Sequence, residues 1–188
     1  MEIIPFFNTV FSLGTIAAQI FIFAAIVCWL FFRKKSDQPL FLKQFFELIG
    51  EKGILLAFVT ALIATLGSLF YSNVAGFPPC DLCWFQRIFM YPLVILFAVA
   101  LIKKDSSVIK FALPTAAVGG LISLYHNYMY FGDQGLNAIC QLFGVGVSCT
   151  KRYVFEFGYI TIPVMALTAF ALIITFLVLA KTYGKPNK

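Results

Sequence analysis

Charge is scarce in this sequence. Of its 188 residues only 12% are charged, and histidine occurs once. Soluble domains carry about 25% charged and about 45–50% apolar residues, whereas 61% of this chain is hydrophobic and its mean hydropathy is +0.93. A chain of this length cannot bury so many apolar side chains in one water-soluble core. The composition therefore excludes an ordinary soluble enzyme, a disordered tail and a small secreted disulfide scaffold, and it indicates a membrane protein with several spans.

The sequence also lacks haem, flavin and nucleotide motifs, internal repeats and low-complexity tracts. Its net charge of +6 would suit a nucleic-acid partner only if the basic residues formed a stripe on a soluble face. They lie instead in short clusters between apolar runs. We therefore expect no nucleic-acid partner. We expect the chain to be a monomer surrounded by membrane lipid.

Long apolar runs predict an all-α membrane protein. A helix needs about 20 mostly apolar residues to cross about 30 Å of hydrocarbon. Runs of this length without two-residue alternation favour helices, because a spanning segment must satisfy its own backbone groups. Five segments qualify: Ile3–Phe32, Ile54–Tyr71, Trp84–Ile102, Phe111–Phe131 and Tyr159–Ala180.

The basic residues predict the orientation of these spans. Eleven of the fourteen Lys and Arg residues lie between spans one and two, between spans three and four, or after span five. The positive-inside rule makes that side cytoplasmic, so the N-terminus and the loops Ser72–Cys83 and Gly132–Gly158 are expected outside. The expected divisions are an N-terminal transmembrane helix (1–35), a cytoplasmic loop (36–53), a four-helix bundle (54–181) and a cytoplasmic tail (182–188).

The segment Pro39–Gly50 alternates apolar residues with Lys43, Gln44 and Glu47. This pattern suits a helix lying in the inner membrane interface, and it suits equally well the start of the second span. The first span ends in Arg-Lys-Lys and has no basic segment before it, so we interpret it as a retained helix and not as a signal peptide.

Four of the five cysteines fall on the expected outer side, where disulfides form and persist. They form two pairs, Cys80 with Cys83 and Cys140 with Cys149, whereas the expected inner loops contain none. The fifth, Cys28, lies inside the first span, where a cysteine usually behaves as a small hydrophobe.

The first pair is a C-x-x-C that follows two prolines and opens a span. Because proline favours helix starts, the pair is expected in the first turn, where the helix dipole favours a thiolate. Arg87 lies four residues after Cys83 and so shares its helix face, which gives the thiol a reason to ionise. An arginine within a span suggests a functional site, although it could also snorkel to the outer headgroups.

His126 lies near the outer end of the fourth span. At 1.5 Å per residue, counting from Gly132 places it about 9 Å deep, and counting from Cys80 places Arg87 about 10 Å deep. These two side chains could flank one small-molecule site. Alternatively, His126 forms hydrogen bonds within a belt of interfacial tyrosines.

Cys140 and Cys149 enclose eight residues with two glycines, a loop that can close a disulfide. Two pairs on one membrane face suggest a dithiol relay that passes electrons to an apolar carrier such as a quinone. Two alternatives stay open: a zinc site built from the four outer cysteines, and a non-catalytic protein with structural disulfides.

Two motifs carry a family resemblance. PCDLCWFQRIFMYP (residues 79–92) resembles the first-loop signature of the DsbB family of disulfide-forming membrane proteins, particularly its short-loop BdbC branch. SCTKRY (148–153) followed by GYITIP (158–163) resembles the second-loop end of that branch. The resemblance covers about residues 54–180 and implies a four-helix transmembrane bundle of DsbB type in a bacterial inner membrane. The fifth span and the short second loop depart from the family pattern.

The resemblance also implies a mechanism. A DsbA-like thioredoxin-fold oxidase attacks the second-loop disulfide at Cys140, Cys149 and Cys80 exchange between the loops, and Cys83 becomes the thiolate that meets the quinone. The quinone would be ubiquinone or menaquinone. Arg87, His126 and Gln86 are the residues expected to surround it with Cys83.

Overall fold

The computed structural model describes residues 3–31, 39–132 and 151–184, and these are almost entirely helical. The helices are α1 (Ile3–Phe31), α2 (Leu40–Glu51), α3 (Gly53–Leu69), α4 (Asp81–Lys103), α5 (Ile109–Phe131) and α6 (Ile162–Tyr183). A π-helical turn, Phe70–Val74, continues α3, and a 3₁₀ turn, Ser106–Val108, precedes α5. Among the described residues, five helices are long and apolar enough to cross a membrane: α1, α3 with its π-helical turn, α4, α5 with its 3₁₀ turn, and α6. The predicted all-α membrane fold is confirmed.

Helices α3 to α6 form an up-and-down bundle. Helix α3 packs against α4 and α6, and α5 packs against the same two helices, so sequence neighbours lie antiparallel around one core. Small residues on α3 and α5 face large ones on α4 and α6; the fully buried ones include Ala57, Ala61, Leu93, Phe97, Ala112, Ala116, Phe170 and Ile173. Membrane helices associate mainly through such close packing.

Helix α1 packs on the outside of this bundle, against α6 and the end of α3. The Phe21 and Phe176 rings lie 5.5 Å apart, and the Phe7 and Phe70 rings lie 4.4 Å apart. The fifth helix is therefore part of the packed body, although most of its large side chains face outward.

Helix α2 is a helix of its own rather than the start of α3. The two helices are separated at Lys52, whose φ and ψ are −96° and 6°. Helix α2 docks on α6, where Phe46 stacks on Tyr183 with ring centroids 5.6 Å apart. Its position in the membrane interface stays a prediction.

Two helix starts differ from the predicted ones by three residues, for local reasons. Helix α4 begins at Asp81 instead of Trp84, because the Cys80 carbonyl accepts the Trp84 N–H at 3.1 Å and so begins the helical hydrogen bonds. Helix α6 begins at Ile162 instead of Tyr159, because the Thr161 hydroxyl accepts the Val164 N–H and caps the helix. The residues before it form a tight turn in which Phe157 and Gly158 have φ of 51° and 80°.

Candidate active site

The connection from α3 to α4 delivers the first cysteine pair to a helix start. After the π-helical turn the chain reverses at Gly76, whose φ of 69° suits glycine, and the Phe77 N–H donates to the Tyr71 carbonyl at 2.9 Å. The chain then runs through two prolines to Cys80, which is extended at φ −78° and ψ 172°. Cys80 becomes the N-cap of α4 and Cys83 lies in its first turn, as the sequence predicted.

The two thiols face each other. Their Sγ atoms are 3.0 Å apart, and Cys80 is 5% exposed whereas Cys83 is half-buried. The contact with Cys83, opposed by burial and reinforced by His126, lowers the pKa of Cys80 below the ordinary value for a thiol. The contacts in the dithiol state therefore favour a thiolate at Cys80. The predicted Cys83 thiolate belongs to a different state, in which Cys80 is bound to Cys149, and it stays a prediction.

His126 connects α5 to this pair. It is 2% exposed, and its Nε2 lies 3.8 Å from the Cys80 Sγ. The Gln86 Nε2 lies 3.1 Å from the His126 Nδ1 and donates to it. Since Nδ1 is then an acceptor, a neutral ring carries its proton on Nε2, which points toward the Cys80 sulfur. Gln86 thus fixes the histidine tautomer that suits a thiolate at Cys80.

Arg87 is held by α3. Its Nε donates to the Ser68 Oγ at 2.9 Å and its Nη2 to the Ser68 carbonyl at 3.0 Å, while the guanidinium lies 5.1 Å from the Trp84 ring centroid. The side chain is therefore anchored between helices and does not extend freely to the headgroups. An arginine has five N–H donors, so some remain for a ligand. Ser68 was not predicted; its only signal was a hydroxyl in an apolar span.

A cavity of about 460 Å³ joins these residues. Its lining is mostly apolar and comes from α1, α3, α4, α5, α6 and the segment before α6. The predicted residues on its wall are Cys80, Cys83, Gln86, Arg87 and His126. The structure thus brings the first cysteine pair and all three predicted quinone-binding polar residues together. The other two predicted site residues, Cys140 and Cys149, lie outside the described residues.

Aromatic rings cover the cavity at its thiol end. Phe77 stacks between Tyr71 and Tyr153, with ring centroids 6.0 Å and 4.7 Å away, and Lys151 lies 5.0 Å from the Tyr153 centroid. The hydroxyls of Tyr130 and Tyr153 are buried at this cavity and have no hydrogen-bond partner among the described residues. Buried polar groups normally have partners, so these two hydroxyls are candidate donors to a ligand.

The donor atoms of Cys80, Cys83 and His126 lie within 4.8 Å of one another. Two thiolates and an imidazole are a donor set that zinc binds. This cluster differs from the predicted zinc site, which required Cys140 and Cys149 and no histidine.

Comparison with known proteins identifies relatives of the bundle. Residues 51–180 match the family described as "Disulfide bond formation protein DsbB". The chain is 46% identical over 125 residues to "Disulfide bond formation protein C" of Bacillus subtilis (strain 168), covering 66% of this chain and 89% of that protein. It is 38% identical over 135 residues to "Probable disulfide formation protein" of Coxiella burnetii (strain CbuK_Q154), covering 72% and 91%. No solved structure gives a significant match. These matches confirm the resemblance, and the family match leaves α1 outside it.

Proposed function

The chain belongs to the DsbB family of disulfide bond formation proteins, and we propose that it reoxidises an extracytoplasmic dithiol protein and passes the electrons to a membrane quinone. Membership of this family identifies the chain as a membrane oxidoreductase of disulfide bond formation. The electron acceptor and the thiol partner are our proposal. The observation that carries it is the cavity, which joins a C-x-x-C pair to a guanidinium and an imidazole inside the bundle.

The cavity fits a quinone in shape and in polarity. Its apolar lining suits a lipid-soluble molecule, and Arg87, Tyr130 and Tyr153 offer donors to carbonyl oxygens at its thiol end. A quinone bound there, either ubiquinone or menaquinone, would supply an acceptor for two electrons and two protons. The half-buried Cys83 lies on the same wall, where its electron pair can leave the protein.

The thiol steps balance as a series of exchanges. A partner thiolate attacks Cys140, breaking the Cys140–Cys149 disulfide, and Cys149 then attacks Cys80, which releases Cys83 as a thiolate. The partner's second thiolate displaces Cys140, so the partner leaves oxidised. Cys140 displaces Cys80 from Cys149 and restores the second-loop disulfide. Cys80 and Cys83 are then both reduced, and they form their disulfide as two electrons pass to the acceptor.

The neighbours of Cys80 suit this order. A thiol of low pKa is a good leaving group in disulfide exchange, and the contact with His126 lowers the pKa of Cys80. The Nε2–H of His126 stabilises the sulfur as it leaves, and Gln86 holds the ring in the required tautomer.

The charges of the described helices support an orientation with both cysteine loops outside a bacterial cell membrane. Helices α2 to α6 carry several lysines at the end opposite the thiols: Lys43, Lys52, Lys103, Lys104, Lys110 and Lys181. The positive-inside rule assigns that end to the cytoplasm. The partner we propose is a DsbA-like thioredoxin-fold oxidase, because such a protein presents an exposed dithiol outside the membrane.

A turnover assay tests the proposal. The purified protein in detergent is mixed with a reduced thioredoxin-fold protein and a soluble short-chain ubiquinone, and quinone absorbance is followed. We expect turnover in the wild type, none in Cys83→Ser, and unchanged turnover in Cys28→Ser, whose residue is not on the cavity wall. A wild type that oxidises no dithiol at the expense of quinone would refute the proposal.

A metal site is the second candidate, because three donor atoms already converge at the thiol end of the cavity. If this were the function, reduced protein would bind one zinc ion against a competing chelator, and His126→Ala would weaken that binding. Stoichiometric zinc without quinone turnover would favour it over the redox proposal.

A further inference from the structure

We propose that α1, which lies outside the family match, forms a wall of the quinone cavity and determines how much space is available to the quinone. This inference rests on the proposed function and adds a structural part to its site. The family match begins at residue 51, so it assigns no role to α1. Five α1 residues nevertheless line the same cavity as Cys83 and Arg87: Val10, Phe11, Gly14, Thr15 and Ala18.

On this side α1 forms the cavity wall, in place of direct contact between α3 and α6. At the lysine end α3 and α6 touch directly: a Cβ added at Gly53 would lie 2.7 Å from the Ala180 Cβ. At the thiol end α1 bridges the two helices. The Tyr71 hydroxyl of α3 donates to the Asn8 Oδ1 at 3.1 Å, and the Gln19 Nε2 donates to the Thr168 Oγ1 of α6 at 3.1 Å.

Gln19 uses both ends of its amide for this docking. Its Oε1 also accepts the Tyr159 hydroxyl at 2.7 Å, from the segment that leads into α6. Polar side chains within membrane helices hold helices together through such bonds. The position of α1 is therefore specified by hydrogen bonds to both neighbours as well as by apolar packing.

Helix α1 also contacts the turn of α3 that holds Arg87. A Cβ added at Gly67 would lie 3.3 Å from the Phe11 ring, so the ring packs closely on this turn. Ser68, the next residue, accepts both hydrogen bonds of Arg87. The wall and the guanidinium thus belong to one packed unit.

Gly14 marks open space on this wall. A Cβ added there would meet nothing within 4 Å, although the position lines the cavity. The buried Tyr130 hydroxyl, which has no partner among the described residues, belongs to a residue that lines the same cavity and is a candidate donor to a ligand there. We therefore assign Gly14 to the face that a bound quinone contacts.

Filling the space at Gly14 tests the assignment. In the quinone turnover assay Gly14→Leu should raise the KM for quinone at least about tenfold, since one extra methylene in an apolar pocket already has effects of that size. Gly14→Ala should raise it less. The rate at saturating quinone and the KM for the thiol partner should not change. The matched control is Ala17→Leu, at an exposed α1 position outside the cavity lining, which should leave the KM within twofold.

The outcomes separate this inference from the proposed function. The single-turnover reduction of the protein by its thiol partner, without quinone, reports folding and should be equal in all variants. If the wild type reduces quinone but Gly14→Leu and Ala17→Leu have the same KM, the wall assignment is refuted while the proposed function stands. If the wild type reduces no quinone, the proposed function itself fails. If Gly14→Leu does not fold, a KM for Gly14→Ala equal to that of the wild type refutes the assignment.

Discussion

The hydrogen bond between the two C-x-x-C thiols makes a quantitative prediction about Cys83→Ala. In the reduced wild type this bond is the largest cause that lowers the pKa of Cys80 below the ordinary value for a thiol. A hydrogen bond to a charged group contributes about 1.5–3 kcal/mol, and a pKa change of one corresponds to about 1.4 kcal/mol. Removing the donor should therefore raise the pKa of Cys80 by about 1 to 2. Cys83→Ser keeps a donor, so its Cys80 should titrate close to the wild-type value.

Thiolate absorbance measured against pH follows this titration when Cys28, Cys140 and Cys149 are replaced by serine, so that only the C-x-x-C thiols absorb. The stability of the reduced protein depends on pH, because the pKa of Cys80 in the folded state lies below the ordinary value for a thiol. The thiolate stabilises the reduced fold fully above that ordinary value, and the contribution is lost as pH falls through the lowered pKa of Cys80 in the folded protein. Stabilising the reduced form also makes the disulfide a stronger oxidant. A wild-type midpoint near the ordinary thiol value, or identical midpoints in Cys83→Ala and Cys83→Ser, would refute this reasoning.

Two further predictions concern packing and the guanidinium anchor. Gly119→Ala would place a Cβ against the Phe170 ring, so thermal unfolding in detergent should show a loss of about 1–3 kcal/mol from overpacking. Gly120→Ala, whose Cβ would lie 3.7 Å from its nearest neighbour, is the matched control and should be nearly neutral. Equal losses in the two variants would contradict the packing. Ser68→Ala removes the Oγ acceptor of the Arg87 Nε. Because such a bond contributes about 1.5 kcal/mol, quinone turnover should fall about tenfold or less, while the rate of the single-turnover thiol step should not change. Turnover equal to that of the wild type would show that this hydrogen bond does not position Arg87 for the reaction.

Most features that the sequence could predict follow from patterns among residues close together in the chain. The spans follow from runs of apolar residues, and the place of Cys80 and Cys83 at a helix start follows from the prolines before them. The shared face of Cys83 and Arg87 follows from helical spacing, and both residues do line one cavity. The spans were less accurate at their ends, because capping by Cys80 and Thr161 depends on backbone angles that composition does not reveal.

Contacts between distant segments could not be predicted in this way. Arg87 was paired by sequence with Cys83, and the fold adds hydrogen bonds to Ser68, nineteen positions earlier on another helix. The Gln86 amide likewise meets the His126 ring across two helices. Neither partner leaves a local signal, because a serine in an apolar span looks the same whether or not an arginine reaches it.

The sequence by itself determined that this protein is a multi-pass helical membrane protein of the DsbB family, with a cysteine pair opening one span. Composition and spacing along the chain suffice for the helical membrane spans, since a bilayer admits few ways to satisfy a long apolar backbone. The family follows from the resemblance of two motifs and from the family match. Only the tertiary structure decided which side chains meet across helices: Gln86 with His126, Ser68 with Arg87, and α1 with the cavity. These contacts depend on how five helices pack against one another, and packing of side chains far apart in the chain is a property of the whole fold.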